Sequence, residues 1–490
     1  MPRTALLWYR RDLRLRDHPA LHAAVAAADR VAPVFILDPG LLQGRWPSPN
    51  RVRFMLGSLA ELRDDLAAHD VPLVVLRGRP AEILPALAAA VGAREVFASR
   101  DVSPYARTRD AAVGRTLDAV GAALHLRGGA LVAEPEEIAG ADGRPLSVFT
   151  PYLRRWEGLA RRDVLPVPRG LRGIAADEAG RLPGVVGLPD PGSIVPTADP
   201  ALLLVPGEAA ARARLASWAS DARLAGYAVG RDRLGIEGTS RLSADLRWGL
   251  VSPLAVLDAT DGPGEGRAAF ARELAWRDFY AQVLWHHPHV TRTSFRPAFE
   301  GVPWRADPSA FDAWRQGQTG YPVVDAAMRQ LAASGWMHNR GRMIAASFLA
   351  KDLLIDWRRG EQHFMEHLVD GDVAANNGGW QWAAGTGTDP QPYFRVFNPV
   401  AQGERHDPDG SFVRRWIPEL AGVPDCFVHK PWTMPLSVQA TAGCEIGREY
   451  PAPIVDHAMA RTRALAAYAS VRVPPPERRP GSHRPDGPPR

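Results

Sequence analysis

Two stretches of the chain combine residue types that packing alone does not ask for. Asp370-Gly371-Asp372-Val373-Ala374-Ala375-Asn376-Asn377-Gly378-Gly379-Trp380-Gln381-Trp382 mixes carboxylates, amides, glycines and two indoles. Its amides offer donors and acceptors together, and glycine admits close approach by a ligand. A polar surface turn is the bland alternative, and the two tryptophans argue against it. Glu237-Gly238-Thr239-Ser240-Arg241-Leu242-Ser243-Ala244-Asp245-Leu246 brings hydroxyls, a glycine and an arginine to the start of a helical pattern. An anion site at a helix N-terminus requires those groups, although capping by Ser240 or Ser243 explains the same spacing.

Two further segments are helical by spacing. In Trp336-Met337-His338-Asn339-Arg340-Gly341-Arg342-Met343, Asn339 and Met343 share a face while Arg340 points elsewhere. Glu273-Leu274-Ala275-Trp276-Arg277-Asp278-Phe279-Tyr280 puts Glu273, Trp276 and Arg277 on adjoining faces by the same rule. Taken singly, each has a structural explanation, since a helical Met is usually core and a helical Glu usually solvated.

The elements that carry these residues follow from the hydrophobic pattern. Apolar runs at Ala5–Tyr9, Val31–Leu37, Pro72–Leu76, Glu95–Ala98 and Leu124–Leu126 alternate with helical patterns, which predicts a mostly parallel, doubly wound sheet. No Gly-x-Gly-x-x-Gly follows the first strand, so a standard dinucleotide fingerprint is missing. A ligand of this part is expected beyond the carboxyl ends of the strands, near Arg10, Phe35, Asp38 or Asp101. Eight prolines between Asp163 and Pro206 read as a long connector rather than a folded unit. Helical signals then dominate, at Glu208–Val229, Phe270–Leu284, Val323–Ala333, Asn339–Trp357 and Glu361–Val369. The expected division is an α/β domain over 1–130, a connector over 131–206, an all-α domain over 207–471 and a disordered tail over 472–490.

Composition narrows the class. Of 490 residues, 46% are hydrophobic and 23% charged, and no apolar run approaches the length of a membrane span. Cys426 and Cys444 are the only cysteines, which excludes a disulfide framework and a four-cysteine zinc site; no metal centre is expected. With no signal peptide at the start, a cytoplasmic protein is expected. The net charge of +5 is weak evidence for a polyanionic partner, because the tail holds five arginines against Glu477 and Asp486. Eleven of the fifteen tryptophans lie between Trp248 and Trp432, and they are the better clue.

Together these segments resemble one family, the class I cyclobutane pyrimidine dimer photolyases of the photolyase/cryptochrome flavoproteins. The resemblance runs from Trp8-Tyr9-Arg10-Arg11-Asp12-Leu13-Arg14 to Tyr450-Pro451-Ala452-Pro453-Ile454-Val455. Its most specific part extends from Thr319-Gly320-Tyr321-Pro322-Val323-Val324-Asp325 to Phe394-Arg395-Val396-Phe397-Asn398-Pro399. It implies an enzyme, a carbon–carbon lyase working on UV-damaged DNA, with FAD folded on itself inside the helical domain.

By that resemblance Tyr227, Thr239, Ser240, Arg241, Leu242 and Ser243 hold the FAD phosphates, and Phe270 lines the cofactor where many relatives have tryptophan. Arg277, Asn339 and Gly371 join the cofactor shell, Arg342 pairs with Asp370, Asp372 contacts the flavin edge, and Asn376 faces N5. Glu273, Trp276, Asn339, Met343 and Trp382 form a pocket for a flipped-out dimer, while Arg231, Arg340, Arg395 and Gln402 grip DNA phosphates. The implied reaction is electron transfer from excited, reduced FAD to the dimer and back, with Trp380, Trp357 and Trp304 relaying electrons for photoreduction. Phe35, Arg51, Asp101 and Arg247 match positions that hold 8-hydroxy-5-deazaflavin as an antenna; methenyltetrahydrofolate or no antenna are the alternatives. The resemblance also implies a monomer needing no protein partner. (6-4) photoproduct repair is disfavoured because Asn339 and Met343 stand where a histidine pair is needed. A cryptochrome-like photoreceptor is the remaining alternative, and a dark flavin oxidoreductase is disfavoured because no nicotinamide site is visible.

Overall fold

The computed structural model describes residues 2–471 apart from Asp221, Gln391, Tyr393 and Phe394. The tail 472–490 and Phe394 of the most specific motif therefore lie outside the described residues. The five expected strands form at Thr4–Tyr9 (β1), Arg30–Leu37 (β2), Val74–Arg77 (β3), Glu95–Ser99 (β4) and Ala123–Arg127 (β5). They make one parallel sheet in the order β3-β2-β1-β4-β5. Both faces of β1 are buried, as a parallel sheet covered on two sides demands. Leu7 and Tyr9 enter a core shared with the helical part, while Leu6 and Trp8 face the opposite layer.

The order reverses between β1 and β4, so their carboxyl ends flank the crevice of the doubly wound sheet. Arg10 and Arg11 follow β1 there, and Arg100 and Asp101 follow β4. The second half is helical, as expected, with a core built around Trp314, Phe348, Leu349, Trp357, Phe364 and Trp380. No described helix is long and apolar enough to cross a membrane.

Three expectations about elements are corrected. The pattern Glu208–Val229 is not one helix but three, Glu208–Ser220, Ala222–Ala225 and Tyr227–Gly230. Asn339–Trp357 is also broken: an α-helix ends at Ser347, a π-turn runs over Phe348–Asp352, and Leu354 adopts φ +53°. The next helix, Trp357–His367, starts under a cap from Asp356, whose carboxylate accepts from Arg358 N. The connector, finally, is packed rather than loose. Its helix Phe149–Glu157 buries Phe149, Tyr152 and Trp156 in the shared core, and Ile174 and Leu182 cover the sheet.

Candidate functional site

The helix Glu265–His286 is the spine of the site. Phe270 lies on it beside Tyr227 and Trp218, with ring centroids 5.3 and 5.6 Å away. One turn on, Glu273 pairs with Arg231 at 2.5 Å. Burial pushes the Glu273 carboxyl up, and the Arg231 guanidinium draws it only partly back. Trp276 is not a bare platform: Phe149 from the connector stacks on it at 3.6 Å with a 9° tilt. Arg277 donates to the Ala130 carbonyl at 2.7 Å.

The loop Asp370–Asp372 faces the start of the Asn339–Ser347 helix. Asn339 Nδ2 contacts Met343 Sδ at 3.7 Å, which confirms their shared face. Arg342 donates to Asp370 Oδ2 at 2.7 Å, as the resemblance implies. The other oxygen, Oδ1, is buried with no partner among the described residues. Asp372 is more engaged than expected. Its Oδ1 caps the Val373–Ala384 helix by accepting from Ala374 N and Ala375 N at 3.0 Å, and its Oδ2 pairs with Arg11. Burial opposes its charge, but Arg11, Arg247 and Arg277 outweigh that and hold the carboxyl at about 2. Asn376 donates to the Glu361 carbonyl at 3.0 Å, and Asn377 donates to the Glu361 carboxylate at 2.9 Å.

The segment Thr239–Ser243 precedes a short helix, Ser243–Trp248, and simple capping does not describe it. The cap position is Leu242 and carries no side-chain cap bond, while Ser243 Oγ lies 3.2 Å from the Trp336 indole N–H. Arg241 takes φ +55° and stacks its guanidinium 4.6 Å above Trp336, with Nε buried and unpartnered among the described residues. A non-glycine residue in the left-handed region beside unspent donors marks a functional turn more often than a packing one.

A cavity of about 450 Å³ opens between the Asn339–Ser347 helix, Trp382 and the segment Arg395–His406, lined by Arg340, Met343, Trp382, Arg395, Gln402 and Arg405 among others; Glu273, Trp276 and Asn339 do not line it. Arg395 is exposed, and its carbonyl receives Lys351 Nζ at 2.8 Å. Arg340, expected to point away from the Asn339–Met343 face, instead lines the cavity together with Met343, since residues three apart are neighbours on a helix, and it is tied to Asp232 at 2.7 Å. Behind the cavity, Trp380 is 2% exposed and Trp357 fully buried, while Trp304 is half-buried. The Trp380 ring lies against Gly360, one turn along from Trp357, at a position where a Cβ would collide with it. The Arg305 N–H beside Trp304 bonds to the Leu354 carbonyl at 2.7 Å, close to the start of the same helix.

The residues matched to an antenna are brought together only in part. Arg51 donates to the Met365 and Leu368 carbonyls, Arg247 donates to the Gly371 carbonyl at 2.8 Å, and Asp101 lies 3.5 Å from Arg11. Burial, aided by Arg11, pushes Arg247 down to about 9. Phe35 belongs to the core below them. The expected ligand crevice at the strand ends is thus filled by side chains. Between Arg10, Arg11, Asp101 and Asp372 about 40 Å³ remains, room for a water or two rather than a ligand. Asp38 caps the next turn and takes the Tyr105 hydroxyl, so it plays no part there.

Sequence reasoning missed Arg11, Phe149, Asp232 and Glu361. Arg11 stood inside a quoted motif, and its neighbour Asp372 was already singled out. The other three carried no local signal, because each acts on a residue distant in the chain.

The chain is similar to known proteins over most of its length. Residues 270–470 match the family model described as the FAD binding domain of DNA photolyase, and residues 5–169 match the DNA photolyase model. A deoxyribodipyrimidine photo-lyase of Halobacterium salinarum is 42% identical over 491 residues, covering 95% of this chain and 99% of that protein. A class III photolyase from Agrobacterium tumefaciens superposes with a TM-score of 0.87 at 38% identity, over 96% of this chain and 98% of that one. A Synechocystis cryptochrome also reaches a TM-score of 0.87, at 29% identity, over 95% of this chain and 99% of that one.

Proposed function

The chain belongs to the DNA photolyase family, and from that premise we propose that it is a deoxyribodipyrimidine photo-lyase that splits cyclobutane pyrimidine dimers in UV-damaged DNA under light. The observation that carries this reading is the 450 Å³ cavity, whose lining combines Met343 and Trp382 with Arg340, Arg395 and Arg405. A cavity of this size suits a flipped-out dinucleotide better than a flat groove does. Damaged steps are poorly stacked, so flipping one costs less than the few kcal/mol of an intact base. The rim arginines supply affinity without reading sequence. Assignment to class I is part of the proposal and rests on the residues quoted for the resemblance.

The helical residues fit FAD. The orphaned Asp370 Oδ1 and Arg241 Nε are buried polar groups that a ligand would satisfy, since leaving them unpaired costs about 1–3 kcal/mol each. Tyr227, Thr239–Ser243, Phe270, Arg277, Asn339, Arg342, Gly371 and Asn376 complete the cradle. Bound in reduced form, the flavin supplies a photoexcited electron to the dimer and takes it back, with no net redox change. Around it, Arg342 holds Asp370 in place, and the Glu361 carbonyl fixes the Asn376 amide. Glu273 and Trp276 receive the lesion, one by hydrogen bonding to a base edge and one by aromatic contact. Trp380, Trp357 and Trp304 run from buried to half-exposed, the order an inward electron relay needs.

The antenna residues fit a chromophore less well. Arg51 and Asp101 are bonded to protein groups already, and Arg247 is bonded through Nε to the Gly371 carbonyl while its Nη1 is buried without a partner among the described residues.

The test is repair itself. Reduced protein is incubated with a dimer-bearing oligonucleotide in blue light and in darkness, and dimers are counted. Loss in light alone is expected. Equal counts in both would sink the repair reading in favour of a cryptochrome-like photoreceptor, to which the Synechocystis likeness would then point.

A further inference from the structure

The last two turns of the Trp357–His367 helix carry His363-Phe364-Met365-Glu366-His367, which neither the lesion cavity nor the cofactor cradle uses. Spacings of three and four residues put His363, Glu366 and His367 on one helix face. Their ligand atoms lie within 4.8 Å of one another, and all three side chains are half-exposed. The two imidazole rings are 4.2 Å apart.

From this geometry we propose that His363, Glu366 and His367 bind one divalent first-row cation of the zinc type. Imidazole with one carboxylate suits that class of ion, and three protein ligands leave the remaining position to water. Tetrahedral zinc with bonds of ~2.0–2.1 Å sets its ligands ~3.3 Å apart, so the half-exposed side chains close by about 1–1.5 Å on binding.

The surroundings are already those of a ligand set. The His367 Nδ1 lies 2.8 Å from the His363 carbonyl, the backbone bond that orients a metal-bound imidazole and leaves Nε2 for the ion. Glu366 is held by Gln362 Nε2 at 2.8 Å. Arg315 opposes a cation, but it is itself paired with Asp312 at 2.8 Å. The helix ends three residues before Asp370, and its His367 carbonyl is held by Asn50 at 2.7 Å. A cation here clamps the turn from which the Asp370–Asp372 loop departs.

The proposal is tested on the full chain with its flavin by equilibrium dialysis against zinc alone, followed by elemental analysis. About one zinc per protein is expected. Losing an outer partner of a metal ligand alone costs about 10–100-fold in affinity, so H363Q and H367Q are each expected to cost at least about 100-fold. Retained flavin absorbance shows that these variants are folded. Glu366→Gln, a conservative change at a half-exposed position, is expected to weaken zinc as well, and provides the test if a histidine variant fails to fold. His289→Gln, in a separate histidine group, is expected to change nothing. Absence of stoichiometric zinc, zinc retained at equal affinity in H363Q, H367Q and E366Q, or equal loss in H289Q would each overturn the site.

Discussion

On the proposed function, Glu273 is the side chain at which lesion binding separates from cofactor retention. Its carboxyl faces the Arg231 guanidinium at 2.5 Å and is raised by burial, so it is poised to share a proton or a hydrogen bond with a base edge. A charged hydrogen bond contributes about 1.5–3 kcal/mol, so Glu273→Ala is expected to lower repair by roughly 10- to 150-fold while FAD absorbance is retained. If FAD falls in step with repair, Glu273 belongs to the cofactor shell instead. Glu361 makes a prediction about pH. Its ordinary value is 4.5, and burial pushes it up to about 7, only partly offset by the Asn377 hydrogen bond. The folded state therefore holds this proton where the unfolded chain has released it. The resulting stability is full below the ordinary value and is lost as pH rises through 7, by at most about 3 kcal/mol. Denaturant unfolding between these pH values is expected to show that decline in the parent protein and a smaller one in Glu361→Gln. An unchanged slope would mean that Glu361 is ionised throughout.

Elements decide how those side chains are presented. Trp276 owes its orientation to Phe149, a residue of the connector stacked on it at 3.6 Å. Phe149→Ala removes that partner from a fully packed core. It is expected to cost about 3–5 kcal/mol in urea unfolding and to weaken dark binding of a dimer-bearing oligonucleotide. Normal binding after such a loss would show that Trp276 is held by its own helix alone. The strands were legible because each is a short apolar run between turn signals, and both faces of the sheet are covered. The break at Phe348–Leu354 was not. Ile344 to Ile355 is apolar apart from Ser347, Lys351 and Asp352, and such a run looks the same whether one helix continues or two meet at a π-turn. The connector misled for the opposite reason: its prolines signal irregular backbone truly, but irregular backbone can still bury Ile174 and Leu182.

For the whole molecule, the location of charge matters more than its sum. The cavity rim gathers Arg340, Arg395 and Arg405, while Arg231 and Arg340 are already paired with Glu273 and Asp232. On the proposed function, DNA phosphates would compete with those internal pairs, so few phosphates are expected to be neutralised. Neutralising about three phosphates predicts a log–log salt slope of about −2 to −3, measurable with labelled oligonucleotide in darkness. Affinity independent of salt would place the contacts elsewhere. The site's principal residues were legible through a resemblance spanning nearly the whole chain. Their partners were not, because Arg11 on Asp372, Asp232 on Arg340 and Glu361 on Asn377 join segments that sequence spacing cannot bring together. The central claim is tested most directly by counting dimers lost per protein under blue light, with the flavin pre-reduced, its absorbance followed, and no further reductant supplied. Many dimers lost per protein, an unchanged flavin band and no loss in darkness are predicted. Loss that stops at one dimer per protein as the flavin oxidises, or that proceeds in darkness, would contradict it.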